Sequence, residues 1–156
     1  MKKIMIALDC TSFAKEVALA GKELAKQYPD ASVTMMHALL QPDYYSSAQY
    51  APILGFNEYY NKDLSDIFNG DTLQNAVQDF LESLKEELSM TNAQILIRPG
   101  EPEETIMEAA RETQAALLVI GKQNKDTANK KRIGHVTEAI LKQAYLPVLV
   151  IPTASK

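Results

Sequence analysis

Hydrophobic residues fall into two alternating patterns along this chain: short unbroken runs and longer stretches with helical spacing. The clearest run is Ala116-Leu117-Leu118-Val119-Ile120, closed by Gly121. A half-exposed strand would alternate apolar and polar positions. A continuous β-prone run bounded by glycine instead predicts a parallel strand covered on both faces. Comparable runs occupy residues 3–8, 32–40, 94–98 and 147–151, the last stopped by Pro152. Between them the period changes. Phe13, Val17, Ala20, Gly21, Leu24, Ala25 and Tyr28 predict a helix ended by Pro29 and Asp30. Leu73, Ala76, Val77, Phe80, Leu81, Leu84 and Leu88 predict a second, with Asp71 and Gln74 as its capping box. Pro102 suits the first turn of a third, where Glu103 and Glu104 favour the dipole and Ile106, Met107, Ala109 and Ala110 form the buried side. Gly134 is expected to open a fourth, burying Val136, Ile140, Leu141 and Ala144. Strands and helices alternating at these distances make right-handed βαβ units and a doubly wound α/β fold on a five-stranded parallel sheet. The 156 residues suit a single domain spanning 1–156.

Charge sharpens this picture. The formal net charge of -4 argues against general nucleic-acid binding. No apolar run reaches membrane-spanning length, and Asp9 interrupts the first one too soon for a signal peptide. One cysteine, Cys10, cannot form an internal disulfide, so a reducing cytoplasm is the expected location. Against this acidic background one segment reverses sign. Lys122, Lys125, Lys130, Lys131 and Arg132 stand against a single acid, Asp126, so five positive charges and one negative leave +4. A parallel strand ending in glycine, a basic loop and a helix N-terminus make an anion site, because free N–H groups and the helix dipole favour phosphate.

Gly121-x-x-Asn124, nine further residues and then Gly134-His135-Val136-Thr137 resemble the nucleotide loop of the universal stress proteins. ATP-binding members of that family carry G-x2-G-x9-G-[S/T] in this place. Asn124 stands where the second glycine falls, and His135 where the phosphate-binding Ser or Thr falls. Gly100-x-Pro102 before an acidic helix start, and the closing Pro147-Val148-Leu149-Val150-Ile151-Pro152, are similar to the same family. The resemblance covers nearly the whole chain and is weakest between residues 41 and 70. It implies an adenine-nucleotide α-hydrolase-like sheet in the order 3-2-1-4-5, a regulatory role in stress response, ATP or AMP as ligand, and a homodimer through the last strand, Leu146 to Ile151. Asp9, closing the first strand, would face adenine and ribose, and Ala38 would flank the base. Gly121, Asn124, Gly134, His135, Val136 and Thr137 would form the phosphate loop, with Lys122, Lys125 and Lys131 as further contacts. In that order the first and fourth strands flank a crevice at their carboxyl ends, where Asp9 and this loop meet. Asp9 has a second reading, as a cap for the helix that follows.

Other chemistry is sparse. His37 and His135 are far apart and neither has a metal spacing, so no metal is expected. His37 ends an apolar strand and reads as structural. Cys10 is either a small buried residue or a thiol activated by a helix N-terminus. No Ser/His/Asp pattern or carboxylate pair is assignable, which predicts no efficient enzyme and at most weak nucleotide hydrolysis. Five of the seven tyrosines (Tyr44, Tyr45, Tyr50, Tyr59, Tyr60) cluster between residues 41 and 61. That stretch is a lid or contact surface, or a loop folded back on its own helix. Three functions remain open: a nucleotide-binding regulator, a dimeric interaction module without ATP that uses the tyrosine loop, and an α/β enzyme acting on a phosphorylated substrate.

Overall fold

The structure, a computed structural model, describes residues 2–46, 53–54, 70–122 and 130–152. Its elements in order are β1 (Lys3–Ala7), α1 (Ala14–Ala25), β2 (Ser32–Leu39), a 3-10 turn (Pro42–Ser46), α2 (Gly70–Glu87), β3 (Gln94–Pro99), α3 (Pro102–Glu112), β4 (Leu117–Lys122), α4 (Lys130–Gln143) and β5 (Val148–Pro152). The sheet has five strands in the order β3-β2-β1-β4-β5, and every pairing is parallel. β1 is central, with Ile4 opposite Val33 of β2 on one side and Leu117 of β4 on the other. The expected α/β fold and its strand order are both present.

The unbroken apolar runs have a direct cause. Successive strand residues point to opposite faces, and both faces are covered. Ile4 and Ile6 of β1, Met35 of β2 and Val119 of β4 pack with Val17 and Ala18 of α1 and with Leu73, Val77 and Leu81 of α2. Met5, Met36, Leu118 and Ile120 go the other way, against Ile106 and Ala109 of α3 and Ile140 of α4.

Three helices depart from their expected limits or faces. The buried stripe of α1 is Ala14, Val17, Ala18 and Gly21, and Phe13 precedes the first turn. Ala20 is half-buried and Tyr28 is exposed, with Lys2 Nζ 5.1 Å from its ring centroid. The reason is close approach: a Cβ on Gly21 would collide with Ile6 Cδ1 of β1. Gly21 therefore faces the sheet with Ala14 and Ala18, Val17 is buried with them, and Leu24 and Ala25 pack against the same cluster. α2 begins at Gly70, so Asp71 is its second residue and the capping box with Gln74 does not frame its start. α4 begins at Lys130 rather than Gly134, four residues earlier, and Leu141 is exposed while Ile140 reaches the core.

The Gly-x-Pro sequence has a local explanation. Gly100 adopts φ of +137°, and a Cβ there would collide with Thr105 Oγ1. Its N–H donates to Leu39 O at 3.1 Å, which ties the end of β3 to the end of β2. Pro102 then opens α3, with Glu103 and Glu104 in its first turn.

Candidate functional site

The order reversal parts the chain at the carboxyl ends of β1 and β4, and a cavity of about 120 Å³ lies there. The end of β1 and the residues after it contribute Ala7, Leu8, Asp9 and Thr11; β2 contributes His37 and Ala38; β4 contributes Ile120 and Gly121. Val136, Thr137 and Ile140 of α4 close one side, Pro102 and Ile106 of α3 another, and Phe13 and Tyr44 a third. Ligand pockets usually start near ~300 Å³. The enclosed space thus takes one ring-sized group, with the rest of any larger ligand outside it.

Asp9 is half-buried at this wall. Its Oδ1 accepts the Cys10 N–H at 3.0 Å, and its Oδ2 accepts the Tyr44 hydroxyl at 3.3 Å. It does not cap α1. The N-cap position is Phe13, without a side-chain bond, and Thr11 Oγ1 accepts the Phe13 N–H at 3.3 Å. The capping reading of Asp9 is set aside, and its carboxylate stays beside the cavity.

Across the cavity, Thr137 is buried and its Oγ1 donates to Gly121 O at 3.4 Å, which joins α4 to the end of β4. Val136 is half-buried beside it, His135 is exposed and is not part of the lining, and Lys122 is exposed at the end of β4. Asn124 and Lys125 lie outside the described residues, as do Tyr50, Tyr59 and Tyr60. Lys131 belongs to the first turn of α4 and Gly134 to its second. α4 is thus already helical at Lys130, ahead of Gly134 and His135. The first turn of α4 contains no acid, and its sequence opens Lys130-Lys131-Arg132. That is the reverse of what a helix dipole favours in isolation.

Beneath the cavity lies a neutral polar chain. His37 is buried, with Nδ1 2.7 Å from Leu8 O and Nε2 2.8 Å from the Tyr45 hydroxyl, which in turn accepts the Leu40 N–H at 3.0 Å. Only one tautomer satisfies every group: Nδ1–H donates to Leu8 O, and Nε2 accepts from Tyr45. Burial lowers the His37 pKa, against the opposing pulls of Asp9 and the Leu8 carbonyl, and this favours the neutral ring. Burial also raises the Tyr45 hydroxyl, and it raises the Cys10 thiol, which the Asp9 charge pushes further up. Cys10 Sγ sits 3.9 Å from His37 Nε2. This is the structural histidine and small buried cysteine, not an activated pair.

Sequence reasoning brought Asp9, Ala38, Gly121, Val136 and Thr137 to this cavity, and the structure gathers all five. Thr11, Pro102 and Tyr44 were not anticipated as lining. The density of tyrosines after β2 was the available signal for Tyr44, but nothing in it distinguished Tyr44 from Tyr45. Tyr45 is fully buried, and its ring meets that of Tyr44 edge-on with centroids 5.1 Å apart. Among the described residues no cluster of three or more His, Cys, Asp or Glu side chains is placed to hold a metal, and no helix is long and apolar enough to cross a membrane.

A parallel doubly wound sheet with a cavity at its order reversal defines the crevice-binding class of α/β proteins. The chain belongs to the universal stress protein family, whose model matches residues 1–152. It is 25% identical over 154 residues to the universal stress protein MJ0577 of Methanocaldococcus jannaschii, covering 96% of this chain and 94% of that one. Two solved structures share the fold. A universal stress protein in complex with cAMP superposes with a TM-score of 0.61 at 16% identity, covering 98% of each chain. The universal stress protein of Archaeoglobus fulgidus in complex with dAMP gives 0.58 at 22%, covering 97% of this chain and 98% of that one.

Proposed function

We propose that this protein is a regulatory binding protein that takes an adenine nucleotide, ATP or AMP, or another phosphate-bearing ligand between Asp9 and the segment from Gly121 to Thr137. One observation carries the reading. The cavity lies at the sheet's order reversal, between an acceptor carboxylate and a helix whose first turn is basic and free of acid. The apolar space beside Ala38 suits the base, and the Asp9 carboxylate suits a hydroxyl or amino donor. Phosphate then falls to the N–H groups at the start of α4, to the Thr137 hydroxyl, and to Lys122, Lys125 and Lys131. Asn124, Gly134 and His135 are the further residues proposed to meet the ligand in this segment, the last two from the second turn of α4. The cAMP and dAMP complexes of two fold relatives support the same ligand class. Binding rather than turnover fits the described nucleophile: the Cys10 thiol is held neutral by burial, and His37 spends both ring nitrogens on structure. A free buried thiol also suits a reducing cytoplasm.

A thermal-shift panel of ATP, ADP, AMP and cyclic nucleotides tests the reading. At a ligand concentration of 100 times Kd, binding stabilises the fold by about 2.7 kcal/mol, an increase of several degrees in midpoint. If no nucleotide moves the midpoint at millimolar concentration, the reading fails and the interaction-module alternative takes its place.

The protein is further proposed to dimerise through β5. This strand is an edge of the sheet, and unpaired edges invite pairing with another chain. Val150 is not the side chain to probe, because it packs inward with the α3 and α4 cluster. Leu149 is 36% exposed and large. Light scattering is expected to give twice the chain mass at micromolar concentration, and Leu149→Asp to shift it toward the single-chain mass without loss of fold. A parent that runs as a monomer rules the dimer out.

A further inference from the structure

Resting on the nucleotide-site reading, we propose that Thr11 is a specificity-determining residue of the cavity. Its hydroxyl donates to an acceptor nitrogen in the ring of the bound base, so the site prefers nitrogen-containing aromatic rings to hydrocarbon rings of equal shape. Three observations meet at this side chain. Thr11 is only 5% exposed, and it lines the cavity at the carboxyl ends of β1 and β4. Its Oγ1 accepts the Phe13 N–H at 3.3 Å, and its carbonyl oxygen accepts the Ala14 N–H at 3.1 Å. Both bonds use acceptor capacity and fix the residue at the foot of α1. The hydroxyl also carries one donor hydrogen, and no acceptor among the described residues takes it up.

The other polar side chains of the lining already have protein partners. Asp9 accepts from the Cys10 N–H and the Tyr44 hydroxyl, and Thr137 donates to Gly121 O. His37 spends one ring nitrogen on Leu8 O and the other on Tyr45. Ala38, Ile106, Ile120, Val136 and Ile140 make much of the remaining wall apolar. An enclosed space of about 120 Å³ holds one ring-sized group against that wall. Such a ring displaces solvent from Thr11, and a buried donor left without an acceptor is costly. An unprotonated ring nitrogen restores the bond, whereas a C–H at the same place does not. A site with a fixed donor therefore rejects the ring that lacks the acceptor more strongly than an apolar wall could.

The test is calorimetric titration of the full chain with AMP and with analogues of AMP that each carry C–H in place of one ring nitrogen of the base. The proteins compared are the parent, Thr11→Val, which keeps the shape and removes the hydroxyl, and Thr11→Ser, which keeps the hydroxyl. One analogue is expected to bind the parent about tenfold more weakly than AMP, the loss of a single hydrogen bond to a buried donor. In Thr11→Val, AMP and that analogue are expected to bind within about twofold of each other, the signature of a direct contact. Thr11→Ser is expected to retain the discrimination. A parent that binds AMP and every analogue alike overturns the proposal and leaves the nucleotide reading intact, even where Thr11→Val does not fold. A Thr11→Val protein that weakens AMP and the analogues by the same factor also overturns it, because the hydroxyl then acts only on the start of α1. AMP binding by none of the proteins overturns both the proposal and the reading on which it rests.

Discussion

Tyr45→Ala is expected to lower the unfolding midpoint by roughly 6–20 °C. The side chain is fully buried, and truncating a buried aromatic residue costs about 3–5 kcal/mol through lost transfer energy and the cavity left behind. In a chain of this size each kcal/mol moves the midpoint by about 2–4 °C. The cost includes polar groups that cannot reach water. Without the phenol, His37 Nε2 keeps only the weak Cys10 thiol contact at 3.9 Å and the Leu40 N–H loses the Tyr45 oxygen. Tyr45→Phe separates the two contributions. It keeps the ring and is expected to cost about 1–3 kcal/mol from the orphaned hydrogen-bond partners alone. Differential scanning calorimetry of both variants decides the matter. A Tyr45→Ala protein that melts within two degrees of the parent, on the order of a surface substitution, would show that the polar chain beneath the cavity holds nothing together.

The second large effect concerns the ligand loop. Restoring the family pattern with Asn124→Gly and His135→Ser is expected to tighten ATP binding at least tenfold, about 1.4 kcal/mol. Glycine lets the backbone approach phosphate closely and adopt positive φ without strain, and serine supplies a short hydroxyl donor in place of a bulky ring. His135 is exposed on α4, so replacing it removes nothing from the core. Calorimetry of the parent and the double variant against ATP measures the gain. If the double variant binds no more tightly than the parent, these two residues do not limit affinity.

The fold was legible because its physics is local and repetitive. Runs such as Leu117-Leu118-Val119-Ile120 have one use in a protein of this length, a parallel strand between two layers of helices, and the sheet treats them so. Helix faces were less legible. In α1 the expected Val17 and Gly21 are buried, but Ala14 and Ala18 join them while Tyr28 stays exposed, and the contact of Gly21 with Ile6 leaves no room for a side chain. The start of α4 was also less legible: the apolar spacing begins after Gly134, while the helix already includes Lys130-Lys131-Arg132, which carry no apolar period.

The candidate site divides along the same line. Sequence by itself determined that Asp9 would fall just past β1, that Gly121 would end a buried run, and that a positively charged segment would follow it. These are properties of neighbouring residues, and spacing along the chain preserves them. Only the tertiary structure decided whether Asp9 caps a helix or faces a cavity, and that Tyr44, 35 positions away, would place its hydroxyl on that carboxylate. It alone also joined His37 to Leu8 and Tyr45. Contacts between side chains on different strands and turns depend on register and on the depth of packing. Neither has a period in the sequence.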